Sequence, residues 1–238
     1  MLSVAVETST ATGSIALFSD SRLLGEKSWS RDGSHSEFLT ESFQSLLAEN
    51  QCSVREIQRV AVGLGPGSFT GVRVAVNFAR ALGFANSIQI FGLNSLALLA
   101  HQKAVQNQSG LISVCQFGFR DICYVATFQR QLDQGRATLV EIEAPSAKTG
   151  HDLQLSWSEP RIVIGDGLTR LSSRFSKDFL EKMRSLPESS YTPLAKDFAS
   201  TEWLRSSPNL NDWIHTIPLY VRASEAEEKL KSGQLKPV

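Results

Sequence analysis

The sequence predicts a mixed α/β protein built from two similar lobes. Three observations lead there. Short apolar runs recur along the chain and end in polar or glycine-rich turns, the pattern of buried strands. Between them lie stretches with an apolar residue every third or fourth position, the mark of amphipathic helices. The order of strands first, then strand–helix alternation, occurs twice, on either side of a polar break at residues 105–110 (VQNQSG).

Composition narrows the classes. The chain has 238 residues, 42% of them hydrophobic and 20% charged, which excludes a disordered protein. Lys and Arg total 24 and Asp and Glu total 24, with no basic run, so the chain is not built to grip nucleic acid unaided. The first residues lack the basic start and long apolar core of a signal peptide, and no stretch reaches the length of a membrane helix. A cytoplasmic protein without membrane contact is expected. Cys52, Cys115 and Cys123 are odd in number and form no CxxC, so reduced thiols are expected.

Each element has its reason. Residues 2–6 read as a buried strand ending in the polar turn Thr8-Ser9-Thr10-Ala11-Thr12-Gly13; residues 14–18 return antiparallel and 22–30 complete a meander. Ser34 and Glu37 form a capping box for a helix that shares one face among Leu39, Phe43, Leu46 and Leu47. Residues 59–64 form a strand and 72–84 a helix, followed by a strand at 89–92 and a helix at 96–106. In the second half, 111–117 and 122–128 are strands, 138–143 a third, and 161–168 a strand–turn–helix. Residues 193–205 are expected to be helical, 217–222 extended and 223–232 a charged terminal helix. The expected domains are therefore a lobe at 1–105, a smaller one at 106–215, and a terminal segment at 216–238 that packs back on the first lobe.

The sharpest local feature is Gly65-Pro66-Gly67-Ser68-Phe69-Thr70-Gly71, between a strand and a helix. Glycines permit positive φ and close backbone approach, while Ser68 and Thr70 sit where a helix cap belongs. Two readings are open: a loop that cradles phosphate or faces a substrate, and a tight turn that simply needs glycine. It matches neither the Walker loop nor the GxGxxG fingerprint. The helix after it has two apolar faces. Val72, Ala75, Val76, Ala79, Leu82 and Gly83 lie on one side, and Val74, Phe78, Ala81 and Ala85 on the other. Arg73, Asn77 and Arg80 run between them. One face suits the sheet and the other a partner, with Phe78 as its anchor. His35, His101, His151 and His215 form no HxxxH or HExxH pair, so no helical metal site is expected. Glu7 and Asp166 end strands, where a carboxylate either organises a metal–phosphate or caps a turn.

At GPGSFTGVR, which ends at Arg73, the sequence resembles the TsaB family, formerly called YeaZ. Further segments resemble the family in order: Val6-Glu7-Thr8-Ser9-Thr10, His35 with its helix, Gly92-Leu93-Asn94-Ser95-Leu96, and Pro218-Leu219-Tyr220-Val221-Arg222. The likeness is strong in residues 1–105 and weaker over 106–210. It implies the two-lobed fold of actin, Hsp70 and sugar kinases (ASKHA), with ribonuclease H-like lobes and a reduced second lobe. It also implies a non-catalytic subunit in tRNA threonylcarbamoyladenosine synthesis. Such a subunit binds a catalytic paralogue, TsaD, together with a small ATPase, TsaE. It forms a homodimer when alone and meets tRNA only through the complex.

The second apolar face of the helix and the resemblance together give the candidate sites. The partner interface would be Val74, Asn77, Phe78, Ala81 and Ala85. Glu7, Thr8, Ser9 and Asp166 would be a vestigial nucleotide site, with no resident cofactor, though a nucleotide could sit at the partner interface. The catalytic paralogue carries HxxxH where this chain has Asn94-Ser95-Leu96-Ala97-Leu98-Leu99; the fold's first phosphate turn opens with an Asp where it has Glu7, and the family's usual D-A-R stands where it has Gly118-Phe119-Arg120. A divergent kinase-like enzyme and a glycoprotease-like protein are the alternatives.

Overall fold

We describe a computed structural model of the chain, covering residues 1–30, 35–102, 110–133, 136–186, 191–201 and 212–222. Its framework is two five-stranded sheets of one topology. The first contains β1 (Leu2–Glu7), β2 (Thr12–Ser19), β3 (Arg22–Ser30), β4 (Ile57–Gly63) and β5 (Gln89–Leu93), in the order β3-β2-β1-β4-β5. The β1–β2–β3 meander is antiparallel, with Val6 opposite Ile15, and β4 and β5 continue in parallel. The second contains β6 (Gly110–Phe119), β7 (Ile122–Asp133), β8 (Arg136–Thr149), β9 (Arg161–Ile164) and β10 (Met183–Ser185), in the order β10-β9-β6-β7-β8. Substituting β6 to β10 for β1 to β5 reproduces the first sheet, so the expected duplicated α/β fold of two lobes is present.

The helices follow from the alternation of side chains along each strand. Val4 and Val6 point to one face of the first sheet, where α1 (His35–Glu49) and α2 (Phe69–Asn86) cover them with Leu39, Leu46, Val72, Val76 and Ala79. Ala5, Ala16, Phe18 and Ala61 point to the other face. In the second sheet, α3 (Ser95–Ala100) packs on Ile112, Val114, Ala126 and Phe128. The opposite face is covered by α4 (Gly150–Ser156), α5 (Gly167–Arg170) and α6 (Lys177–Lys182), with Trp157 fully buried among them. Among the described residues the helices on the second sheet are thus shorter than those on the first, while the number of strands is the same. Cys115 and Cys123 lie buried in this layer, and contact with Cys123, then burial, pushes the Cys115 thiol up.

Several expectations shift. The strand expected at 138–143 runs from Arg136 to Thr149, and the helix expected at 96–106 is Ser95–Ala100, with 103–109 outside the described residues. Of the helix expected at 193–205, residues 202–205 lie outside the described residues, and the described part holds a short 3-10 helix, Ala195–Ser200. Its Ala195 and Phe198 fill the outer face of the first sheet, so this part of the region assigned to the second lobe packs on the first. Residues 212–222 also lie on the first lobe, where the Leu219 N–H donates to the Leu64 carbonyl at 2.7 Å. Ser34 of the capping box and the terminal helix at 223–232 fall outside the described residues. No helix among the described residues is long and apolar enough to cross a membrane.

Candidate functional site

The structure brings two predicted features together: the turn after β1 and the glycine loop before α2. Glu7 ends β1 fully buried. Its Oε1 accepts the Ser9 N–H at 2.6 Å, and its Oε2 accepts the Ser95 hydroxyl at 2.8 Å. The Ser95 oxygen in turn accepts the Gly65 N–H at 3.2 Å, and the Ser95 N–H donates to the Gly65 carbonyl at 2.7 Å. Burial pushes the Glu7 carboxyl up, against the lowering effect of the bonds from Ser9 and Ser95. A Cβ on Gly63 would overlap the Glu7 carboxylate, so glycine there makes room for it.

The loop is seated on the turn by backbone contacts. The Ser68 N–H donates to the Ser9 carbonyl at 2.7 Å, and the Thr8 hydroxyl donates to the Gly71 carbonyl at 2.7 Å. A Cβ on Gly67 would run into the Ser9 carbonyl, and one on Gly71 into the Thr8 carbonyl. Gly65 has φ +86°, which glycine adopts without strain. Ser68 caps α2 through its hydroxyl, which accepts the Gly71 N–H at 3.2 Å. Of the two readings of GPGSFTG, the tight-turn reading therefore has its physical cause here: the glycines let the loop lie against residues 8 and 9. Each Glu7 oxygen accepts a hydrogen bond, and these two bonds fix the carboxylate between the turn and the start of α3.

Asp166, expected to share a vestigial site with Glu7, is engaged elsewhere. Its Oδ1 accepts the Gln116 side-chain amide at 2.7 Å and the Phe117 N–H at 2.8 Å, and its Oδ2 pairs with Arg170 at 2.6 Å. All these partners belong to the second lobe. Gly165, at φ +110°, and Gly167 lie against Cys115, so this glycine pair also serves close packing.

The faces of α2 divide differently from the expectation. The inner face is as predicted: Val72, Ala75, Val76, Ala79, Leu82 and Gly83 are buried. Val74 and Phe78, however, are half-buried against the first-lobe core, and Phe78 meets Phe43 of α1 edge-on at 5.0 Å. The neighbouring helix α1 already covers that flank, so Phe78 is not the free anchor. The exposed ridge is Thr70, Arg73, Asn77, Ala81 and Phe84, spaced three and four residues apart, with Ala85 beside it. Phe84 is 68% exposed and meets Trp213 edge-on at 5.1 Å. At the other end, Phe69 and Tyr220 lie 5.1 Å apart, with the Arg73 guanidinium carbon 3.8 Å from the Phe69 centroid. Asn77, Ala81 and Ala85 keep the exposure expected of an interface; Val74 and Phe78 do not.

A comparison with known families matches residues 25–156 to the family described as TsaD: tRNA N6-adenosine threonylcarbamoyltransferase. Along 98% of its length the chain is 26% identical to the whole of the tRNA threonylcarbamoyladenosine biosynthesis protein TsaB of Bacillus subtilis. The chain belongs to the TsaB/YeaZ family. Its likeness to the Escherichia coli TsaB protein is 30% identity over 98 residues, 41% of this chain and 42% of that relative. Among solved structures, YeaZ from Pseudomonas aeruginosa superposes with a TM-score of 0.75 over 92% of this chain and 99% of its own, at 24% identity, and shares the fold.

In this TsaB/YeaZ member the sequence marks Ser95 only as part of the motif Gly92-Leu93-Asn94-Ser95-Leu96. Its bond to Glu7 spans 88 positions and has no local signal. Phe84, Trp213 and Tyr220 also escaped as partners of α2. An aromatic outside the inner apolar periodicity, as Phe84 is, was the one available hint.

Proposed function

We propose that the chain is a non-catalytic subunit in tRNA threonylcarbamoyladenosine biosynthesis. It binds a catalytic paralogue of the same fold through the outer ridge of α2, together with a small ATPase of the TsaE type. The observation that carries this reading is the state of Glu7: a buried carboxylate with both oxygens committed to Ser9 and Ser95, in a family whose description is a threonylcarbamoyltransferase. A carboxylate so engaged ties the turn to the glycine loop, a structural role that supports the reading of a non-catalytic subunit. The exposed ridge from Arg73 to Phe84 supplies the surface for the paralogue and for a homodimer when the chain is alone. Contact with tRNA comes through the complex, because the chain carries no net charge. The reading places the chain in the cytoplasm.

The test is co-purification with the threonylcarbamoyltransferase of the same organism, followed by an assay of tRNA modification. The pair supplemented with the small ATPase should modify tRNA, and this chain alone should not, even when given the activated threonine intermediate. Turnover by the lone chain would sink the proposal. Phe84→Asp should abolish co-purification with an unchanged melting profile.

A further inference from the structure

The outer side of α2 carries charge of one sign. Its 18 residues include Arg73 and Arg80 and no carboxylate. Both guanidiniums lie over aromatic rings. Arg73 stacks on Phe69, and its Nε donates to the Tyr220 hydroxyl at 2.7 Å; Arg80 lies 6.0 Å from the centre of the Trp213 ring. Stacking fixes the plane of a guanidinium and leaves edge N–H groups for an anion. Seven residues apart, the two arginines share one side of the helix, about 10 Å from each other along its axis. Among the described residues neither has a carboxylate within ion-pair distance. Asp212, the acid beside Trp213, is held by His215 at 2.8 Å.

The geometry points to a partner helix with two carboxylates about two turns apart, and an apolar position about one turn beyond the carboxylate that meets Arg80, to receive Phe84. This specificity rests on the α2 surface proposed above. A second copy of the chain is the poorer occupant. An antiparallel two-fold crossing centred on Asn77 would set Arg73 of one copy beside Arg80 of the other, with no acid on either α2. Unpaired like charges in one seam disfavour self-pairing and leave the acidic partner preferred. The adjacent helix α1 exposes Glu37, Glu41 and Glu49; Glu49 pairs with Lys27, so Glu37 and Glu41 name the way in which a second copy could still supply the charge.

The experiment uses the full chain, the double variant Arg73→Glu/Arg80→Glu, and the neutral control Arg73→Gln/Arg80→Gln. Self-association is measured by analytical ultracentrifugation and paralogue binding by titration, at 50 and 500 mM NaCl. Wild type mixed with the charge-reversed variant should form a mixed dimer at least tenfold tighter than the wild-type homodimer, and salt should weaken it. The charge-reversed variant should bind the paralogue at least tenfold more weakly. If that variant fails to fold, the neutral pair carries the test, and it should remove most of the salt dependence of paralogue binding. A mixed dimer no tighter than wild type, or paralogue binding indifferent to both charge and salt, would overturn the proposal. So would a tight, salt-sensitive wild-type homodimer that Glu41→Gln dissolves, since the acid would then come from a second copy. If Phe84→Asp breaks the complex and charge reversal does not, the surface stands and the charge pairing falls. If neither breaks it, the surface itself is wrong.

Discussion

The Ser95 hydroxyl donates to Glu7 Oε2 at 2.8 Å while its oxygen accepts the Gly65 N–H, so one side chain joins the end of β1, the glycine loop and the start of α3. Ser95→Ala would leave a buried carboxylate oxygen and a backbone N–H without this partner. Such losses cost about 1–3 kcal/mol each when no water replaces the bond. The melting temperature of Ser95→Ala should fall accordingly, and by clearly less in a Glu7→Gln background. Equal losses in both backgrounds would show that the two residues are not coupled.

Glu7 also gives a pH prediction. Its folded carboxyl titrates above the ordinary glutamate value of 4.5, because burial disfavours the charge. The folded state therefore holds a proton that the unfolded chain releases. Stability from this group is fully present below pH 4.5 and is lost as pH rises through the folded value. Glu7→Gln, which keeps an oxygen for the Ser9 amide, should gain stability relative to wild type as pH rises above 4.5. Denaturant titrations across pH 4 to 8 would read this, and a constant difference would count against it.

His101 acts in the opposite sense. Loss of solvent, and then the charge of Arg130, lowers its pKa to about 4. Between pH 6.5 and 4 the unfolded chain takes up a proton that the folded chain refuses, so stability falls on acidification. The shift corresponds to roughly 3 kcal/mol at most. His101→Gln should flatten the acid limb of the stability curve, and direct titration of the ring by NMR should give a value well below 6.5.

Gly71→Ala tests the loop. Its Cβ would meet the Thr8 carbonyl, a backbone atom that cannot step aside. Overpacking of this kind costs about 1–3 kcal/mol. Thr70→Ala, one residue earlier and exposed, should stay within about 0.5 kcal/mol of wild type. Thermal melts of the two side by side suffice.

The two phenylalanines of α2 should separate stability from association. Phe78→Asp places a charge against Phe43 and should lower stability by several kcal/mol. Phe84→Asp changes a residue that is 68% exposed and should leave the melt near wild type. The reverse pattern in melting curves would return Phe78 to the surface.

Much of this was legible from local pattern. The runs around Val4 and Val60, the glycine loop and the inner face of α2 were readable because strand alternation and helical period are properties of adjacent residues. A helical wheel shows which residues share a face, but not what lies on each flank. Phe78 therefore looked free until α1 was placed beside it, and Phe84 gained significance only with Trp213. Glu7 could be read as a ligand or as a turn residue; Ser95, 88 positions away, supplied the contact that decides its environment. The short helix at Ala195–Ser200 lacks a long period, and nothing local shows that Phe198 belongs beneath Phe18 and Phe91.

That last placement bears on how the chain is made. The first sheet comes from residues 2–93, yet one of its faces is finished by Ala195 and Phe198, and the flank of α2 by Trp213 and Tyr220. A ribosome delivers these only after the second sheet. While the second sheet is being synthesised, Ala16, Phe18 and Ala61 have no cover from residue 195 onward, and an incomplete first lobe must be carried for about a hundred further residues, roughly 5–20 s of translation. A fragment ending near residue 102 should expose this apolar face and bind chaperones, whereas the longer chain covers it with Ala195 and Phe198.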